Sequence, residues 1–307
     1  MKQIRLYILL IGSVMTNIAC AETNYVEPVF SLEFNINGTG AEVRLNDIPI
    51  LYHKSSGETT SQKPIPESIV DGVNTLKVRS FPLKKNNREY LAGSYIEAII
   101  SVREKDAPLN ESKPLLQLKL NPANDELSLL ENTISELGSG EAVVLEYDGK
   151  RIVAERGVSI KSPFPRWAWQ DGQVIEDTPE NFDSLLAVYK EIWEALNEGD
   201  KARVQALYDP AAQEFALAYH YQDKKHGHRI MNTGGLINDD DWGLADINVL
   251  IDKMRYRLDV FANGKIVKII DQDKRTPIVY YSKKVKMLNI QKFGFYKNKA
   301  GEWVMIR

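Results

Sequence analysis

The chain has a single cysteine, Cys20, inside the first 21 of its 307 residues. Everything after it lacks a thiol, which removes disulfides and thiol catalysis from the rest of the protein. No stretch stays apolar over the roughly 20 residues that a membrane-spanning helix needs. Neither sign of charge dominates: 39 basic residues face 42 acidic ones, a formal net charge of −3. Nucleic acid favours a basic face, so it is set aside as a partner. There is no Gly-x-Ser-x-Gly, no phosphate-cradling glycine loop and no dinucleotide fingerprint. Gly38-x-Gly40 and Gly234-Gly235 read as ordinary turns.

The N-terminus has the three-part layout of a secretory signal. Lys2 and Arg5 precede an apolar run from Leu6 to Met15, and Ala19 and Ala21 supply the small residues of a cleavage site. Residues 1–21 are therefore expected to be removed, so that the working chain starts at Glu22. Cys20 leaves a second reading open, because the segment before it resembles the lipid-attachment pattern of bacterial lipoproteins, Leu-(Ala/Ser)-(Gly/Ala)-Cys. Asn17 stands where that pattern has an aliphatic residue, and release after Ala21 is the favoured outcome. Removing Lys2 and Arg5 with the leader leaves 286 residues with 37 basic and 42 acidic side chains, a net charge of −5. An exported chain without disulfides looks like a bacterial periplasmic protein. Hydrophobic residues at 43% and charged residues at 26% are values of an ordinary globular protein, and the length suits two domains.

Residues 28–161 read as strands. Phe30, Leu32, Phe34 and Ile36 alternate with polar residues, Val43 and Leu45 repeat the pattern, and Asn46-Asp47 breaks it before Ile48-Pro49-Ile50-Leu51-Tyr52. Gly57 to Pro66 is polar and reads as a loop. Further strands are predicted at 74–81, 95–103, 115–120, 142–147 and 151–154, the last two joined at Asp148-Gly149. Many short strands separated by turns predict an antiparallel β-sandwich. The pair Val43–Ile50 and Ile69–Val78 resembles a turn pattern of accessory sandwich domains of the galactose-binding-like or immunoglobulin-like kind. In it Gly72 permits a left-handed turn and Asn74 can bond its own backbone before Leu76 re-enters the core.

A Pro/Trp linker spans residues 162–177. Ser162-Pro163-Phe164-Pro165 cannot continue a central strand, and Trp167-Ala168-Trp169 is expected to place two indoles on one side of an extended segment. Those indoles would either stack on a sugar or peptide or pin the linker to a domain. Helical patterning follows. Thr178 and Pro179 form a helix start, and Phe182, Leu185, Leu186, Tyr189, Ile192, Trp193 and Leu196 recur at spacings of three and four. Asp200 caps a second short helix and Asp209-Pro210 starts a third. Strands are predicted again at 254–261 and 265–270 around Ala262-Asn263-Gly264, then at 277–282, 285–296 and 302–306.

The run Glu-Ile-Trp-Glu-Ala-Leu-Asn-Glu-Gly-Asp at 191–200, with Ala-Leu-Tyr at 206–208, resembles the opening helices of the ketosteroid-isomerase-like, or nuclear-transport-factor-like, cone fold. The ending Phe293-Gly294-Phe295-Tyr296-Lys297 … Gly301-Glu302-Trp303-Val304 is similar to that family's last two strands. The resemblance covers residues 178–307 and implies helices packed on a curved antiparallel sheet around a pocket. The fold class expected for the whole chain is therefore α+β in two domains, a sandwich followed by a cone. The family's acidic or His-containing constellation has no counterpart here by motif, since residues 219–253 depart from the usual strand pattern.

That departing stretch holds three of the four histidines, in Tyr219-His220-Tyr221 and His226-Gly227-His228, followed by Asp239-Asp240-Asp241-Trp242. His226-x-His228 could offer two metal ligands from one face of a strand, but Lys224, Lys225 and Arg229 beside them oppose a cation. No catalytic residue, metal site or cofactor is assigned. The candidate partner- or ligand-binding residues are Trp167, Trp169, Tyr219, His220, Tyr221, His226, His228 and Trp242. The leading expectation is an exported, non-enzymatic binding protein with a protein partner in the periplasm, of which an immunity-type protein neutralising a toxin is one form. Two alternatives stay open: an isomerase or hydrolase using the cone pocket with His220, His226 or His228 as base, and a carbohydrate or cell-wall binding module.

Overall fold

The computed structural model describes residues 25–123, 144–148 and 150–306. Residues 1–21, expected to form a signal segment, with Cys20 among them, and Gly149 of the expected 148–149 turn lie outside the described residues. The protein is mixed α+β, with antiparallel sheets and, among the described residues, four α-helices. It divides into two compact units, Met1–Pro165 and Arg166–Arg307. No helix among the described residues is long and apolar enough to cross a membrane.

The first unit begins with β1 (Pro28–Asn37), β2 (Gly40–Leu45), β3 (Ile48–His53), β4 (Thr59–Pro64) and β5 (Gly72–Phe81). It continues with β6 (Tyr95–Glu104), β7 (Lys113–Leu120), β8 (Val144–Asp148) and β9 (Arg151–Ile160). These form a four-stranded sheet in the order β4-β1-β6-β7 and a five-stranded sheet in the order β3-β2-β5-β9-β8. The alternation that marked β1 buries Phe30, Leu32 and Ile36, while β5 buries Leu76 and Val78 and β6 buries Ile96 and Ile100. Residues 57–66, expected as a loop, instead contain β4. It is polar because it is an edge strand: its backbone pairs with β1 from Ile36↔Thr59 to Ser31↔Pro64, and its side chains stay largely in water.

Two asparagines fix the turns of the five-stranded sheet. Asn46 and Asp47 both have positive φ, 53° and 63°, and make the two-residue turn that registers Leu45 against Ile48. Asn74 is fully buried. Its Nδ2 donates to the carbonyls of Val70 (2.8 Å) and Gly72 (3.0 Å), and its Oδ1 accepts from Val70 N (2.9 Å) and Asn46 Nδ2 (2.8 Å). Asn46 Nδ2 also donates to the Ser68 carbonyl, and Asn46 Oδ1 accepts from Thr75 N. A buried amide with every group bonded is stabilising only while the network is whole.

The second unit opens with a short 3-10 turn at Ala168–Asp171, followed by α1 (Pro179–Glu198) and α2 (Lys201–Ala218). Thr178 Oγ1 accepts from Asn181 N, and Gly199 at φ 71° closes α1 with a left-handed residue. The expected separation at Asp209-Pro210 does not occur, because α2 runs through Pro210 as one helix. An interior proline costs about 3 kcal/mol; the good helix formers Ala211, Ala212, Ala216 and Ala218 follow it and are all buried. Next come α3 (Lys224–Ile230), β10 (Trp242–Leu244), α4 (Ile247–Lys253), β11 (Arg257–Phe261) and β12 (Ile266–Ile270). The chain ends with β13 (Val279–Ser282), β14 (Leu288–Ile290), β15 (Phe295–Lys297) and β16 (Trp303–Met305).

β11 and β12 pair around Ala262, Asn263 and Gly264, all at positive φ. The single strand expected at 285–296 is two strands in different sheets: β14 belongs to β10-β13-β14 and β15 to β11-β12-β15-β16. The chain changes sheet at Phe293-Gly294, where both residues are buried. The stripe of α1 (Leu185, Tyr189, Ile192 and Leu196) packs into one core with Val204 and Tyr208 of α2 and with Val267, Ile269, Phe293 and Phe295.

Replacing Asn74 by alanine strands several buried backbone and side-chain groups at once. The substitution is expected to destabilise the first unit by about 3 kcal/mol, read from the urea midpoint of that unit's own transition.

Candidate functional site

The second unit contains a cavity of about 270 Å³. Its wall is built by the end of α1, by α2, by the turns after α3 and by the β13–β14 pair with the residues that follow it. Tyr208 of α2 and Tyr280 of β13 line it, with Asn232, Asn289, Gln291 and Phe293. Tyr208 stands edge-on to Phe293, with ring centroids 5.6 Å apart. Asn289 is the cross-strand neighbour of Tyr280, and Gln291 Nε2 donates to Asn289 Oδ1 at 2.7 Å. Among the described residues, Lys292 is the one charged residue on the lining.

Both tyrosines are buried, and neither hydroxyl has a hydrogen-bond partner among the described residues. Burial raises the Tyr208 phenol, and the nearby phenols of Tyr280 and Tyr189 push it the same way. The Tyr280 phenol is pushed up to about 12, by burial. Both therefore remain protonated at neutral pH and serve as hydrogen-bond donors. Among the described residues, the lining has no carboxylate and no histidine. Such a wall can recognise hydrogen-bonding groups through its phenols and amides.

The residues singled out from the sequence lie elsewhere. Trp167 and Trp169 are 2% and 5% exposed, and the segment is a 3-10 turn in place of the expected extended stretch. Gln170 Oε1 accepts from Trp167 N and closes that turn. Neither indole offers a face to a ligand. His226-x-His228 lies on α3 and not on a strand, so the two rings leave the backbone on different sides. His226 stacks on Tyr221, with centroids 4.4 Å apart and planes 12° from parallel. His228 Nε2 is 2.8 Å from Asp209 Oδ1. His220 sits at φ 59° just beyond α2, and Tyr219 stacks on Phe215. Trp242 is half-buried on β10, paired in register with Ser282. None of these residues lines the cavity. Among the described residues, no three His, Cys, Asp or Glu side chains come together as a metal site would require.

The polar cluster has a local structural role. Lys224 hydrogen-bonds Asp209 and holds its carboxyl below the ordinary range, with a smaller contribution from His228. These bonds join α3 to α2. Gly227 makes the close approach possible, since a Cβ there would stand 1.7 Å from the Ala212 carbonyl oxygen. The turns after α3 then carry Met231 and Asn232 into the cavity wall. Sequence reasoning missed the cavity residues because Tyr208 and Tyr280 sit in ordinary helix and strand periodicity. Their only signal was a hydroxyl at a position otherwise read as core.

No protein-family model matches this chain, and no curated protein or solved structure matches it.

The raised phenols carry a pH consequence. An unfolded tyrosine ionises near 10, whereas Tyr280 and Tyr256 hold their protons up to about 12, Tyr256 through burial first and Asp271 second. The stability they contribute is complete below pH 10 and is lost as pH rises toward 12. Melting temperature measured in steps from pH 9 to 12 should fall across that window. In Tyr280→Phe the fall should be shallower, with the remaining slope due to the other buried tyrosines.

Proposed function

We propose that this protein is an exported, non-enzymatic binding protein of the bacterial periplasm, released after Ala21. In this reading the first unit is a β-sandwich and the second a cone-type domain. The two antiparallel sheets of the first unit support the former, as contacts run between β7 of one sheet and β5 and β9 of the other. The latter is supported by α1 packing against β12 and by a cavity opening between helices and strands.

The observation that carries the binding reading is the cavity lining. It presents two phenols that stay protonated at neutral pH and three amide side chains and, among the described residues, no carboxylate or imidazole. That set suits a small molecule with hydrogen-bond acceptors, held against the Phe293 ring. The enzyme alternative named His220, His226 or His228 as base, and those side chains lie off the wall. The carbohydrate alternative needed Trp167 and Trp169 to be open, and both are buried. Neutralising a toxin in the periplasm is a special case of the same binding role, in which the ligand is a protein.

Native mass spectrometry of protein recovered from the periplasm tests the proposal. The expected polypeptide mass begins at Glu22, and a small molecule should travel with it. Each phenol hydrogen bond contributes about 0.5–1.5 kcal/mol, so Tyr208→Phe/Tyr280→Phe should weaken binding about 5- to 150-fold. Unchanged affinity in the double variant excludes the cavity as the site. Turnover of the bound compound that disappears in the variant overturns the non-enzymatic assignment.

A further inference from the structure

Between Asp273 and Glu302 the sequence contains no acidic residue, although the chain as a whole is net negative. This segment includes the β13–β14 pair, whose two faces differ. Tyr280 and Asn289 form one cross-strand pair and line the cavity. The adjacent row, Gly243↔Tyr281↔Leu288, belongs to the other face. Tyr281 is 46% exposed and Leu288 53%, and in the connecting turn Val285 and Met287 are 53% and 59% exposed. Lys283, Lys284 and Lys286 alternate with them and are exposed. Lys284 pairs with Asp241, whereas Lys283 and Lys286 have no ion pair among the described residues.

The turn is held in shape. Ser282 Oγ accepts from Lys284 N (3.2 Å) and Val285 N (3.0 Å), while Ser282 N donates to the Met287 carbonyl at 2.9 Å. Lys283 N donates to the Asp241 carbonyl at 2.7 Å. The Tyr281 ring lies over Gly243, where a Cβ would stand 2.5 Å from Cζ. The apolar tips and the ammonium groups are thus presented together, without an ordering step on contact.

We propose that the β13–β14 hairpin docks this protein on an anionic lipid surface. Val285, Met287 and Leu288 enter the acyl boundary and Tyr281 sits at headgroup level, while the lysines reach back along their flexible stems to the phosphates. Lysine as the sole cation favours lipid over protein, because protein interfaces select arginine and aromatic residues and exclude lysine from their centres. Lysines beside the short edge strand β14 also discourage a second chain from adding to it. Each lysine near an anionic membrane contributes about 1 kcal/mol, and burial of the apolar tips adds to that. Docking would place the cavity on the opposite face of the same strands that touch the membrane.

Co-sedimentation of the purified chain with phosphatidylcholine vesicles, with and without phosphatidylglycerol, tests this. Binding is expected only when phosphatidylglycerol is present, and it should weaken as salt is raised. Charge reversal in Lys283→Glu/Lys286→Glu is expected to lower the partition coefficient by about 30-fold or more. Val285→Ser/Met287→Ser should lower it at constant charge. All four side chains are exposed, so the variants should melt with the wild type; a matching melt makes equal sedimentation of variant and wild type a refutation. Absence of sedimentation with phosphatidylglycerol also refutes the proposal. So does a concentration-dependent dimer in light scattering that Val285→Ser/Met287→Ser abolishes, since the patch would then belong to a second copy.

Discussion

Phe293 is the contact on which the second unit depends. Its ring stacks on Tyr189 of α1 at 5.4 Å and meets Tyr208 of α2 and Phe295 of β15 edge-on at 5.6 and 5.7 Å. The same residue stands where the chain leaves one sheet for the other. Two helices and two sheets are therefore registered on a single aromatic cluster. The Tyr189 hydroxyl adds long bonds, donating to the Phe293 carbonyl at 3.5 Å and accepting from Ile269 N at 3.4 Å. One edge of the cluster is core and the other is cavity wall. Aromatic rings suit that double duty, because they bury a large area and keep their orientation by edge-to-face contact.

The first unit is organised by a different interaction. The pair of half-buried Asn46 and buried Asn74 decides where β2 turns into β3 and where β5 begins, and the apolar alternation of the five-stranded sheet follows from those registers. A one-residue slip would expose Leu76 and Val78 and break the asparagine network together. The polar pair and the apolar pattern thus specify the same pairing.

Legibility differed between elements for physical reasons. β1, the β11–β12 hairpin and α1 were plain in the sequence because each buries one face of a regular element and has strong end signals: alternation, three consecutive positive-φ residues, or a Thr-Pro start with a Gly stop. β4 was not legible, because an edge strand gains its place from hydrogen bonds to β1 and needs no apolar pattern. The continuity of α2 through Pro210 was hidden for the opposite reason. The local signal said stop, and the burial of the alanines that follow, with Ala212 against Gly227 of α3, outweighs it. α3 itself had no apolar pattern to mark it, since its ties to α2 are a glycine contact and hydrogen bonds to Asp209.

What the sequence determined by itself was the two-part grammar of strands followed by helices and strands, with the alternation of β1 and the apolar stripe of α1. Those properties depend on composition and on neighbours a few positions away. The tertiary structure alone decided which polar groups face a common space. Tyr208 and Tyr280 stand 72 positions apart and look like core residues in their own elements; packing around Phe293 brings them to one wall. It also turned the conspicuous residues inward or apart, sealing Trp167 and Trp169, stacking His226 on Tyr221 and joining His228 to Asp209. Side-chain direction follows from the element that carries the residue and from what that element packs against, and sequence spacing contains only the first of these.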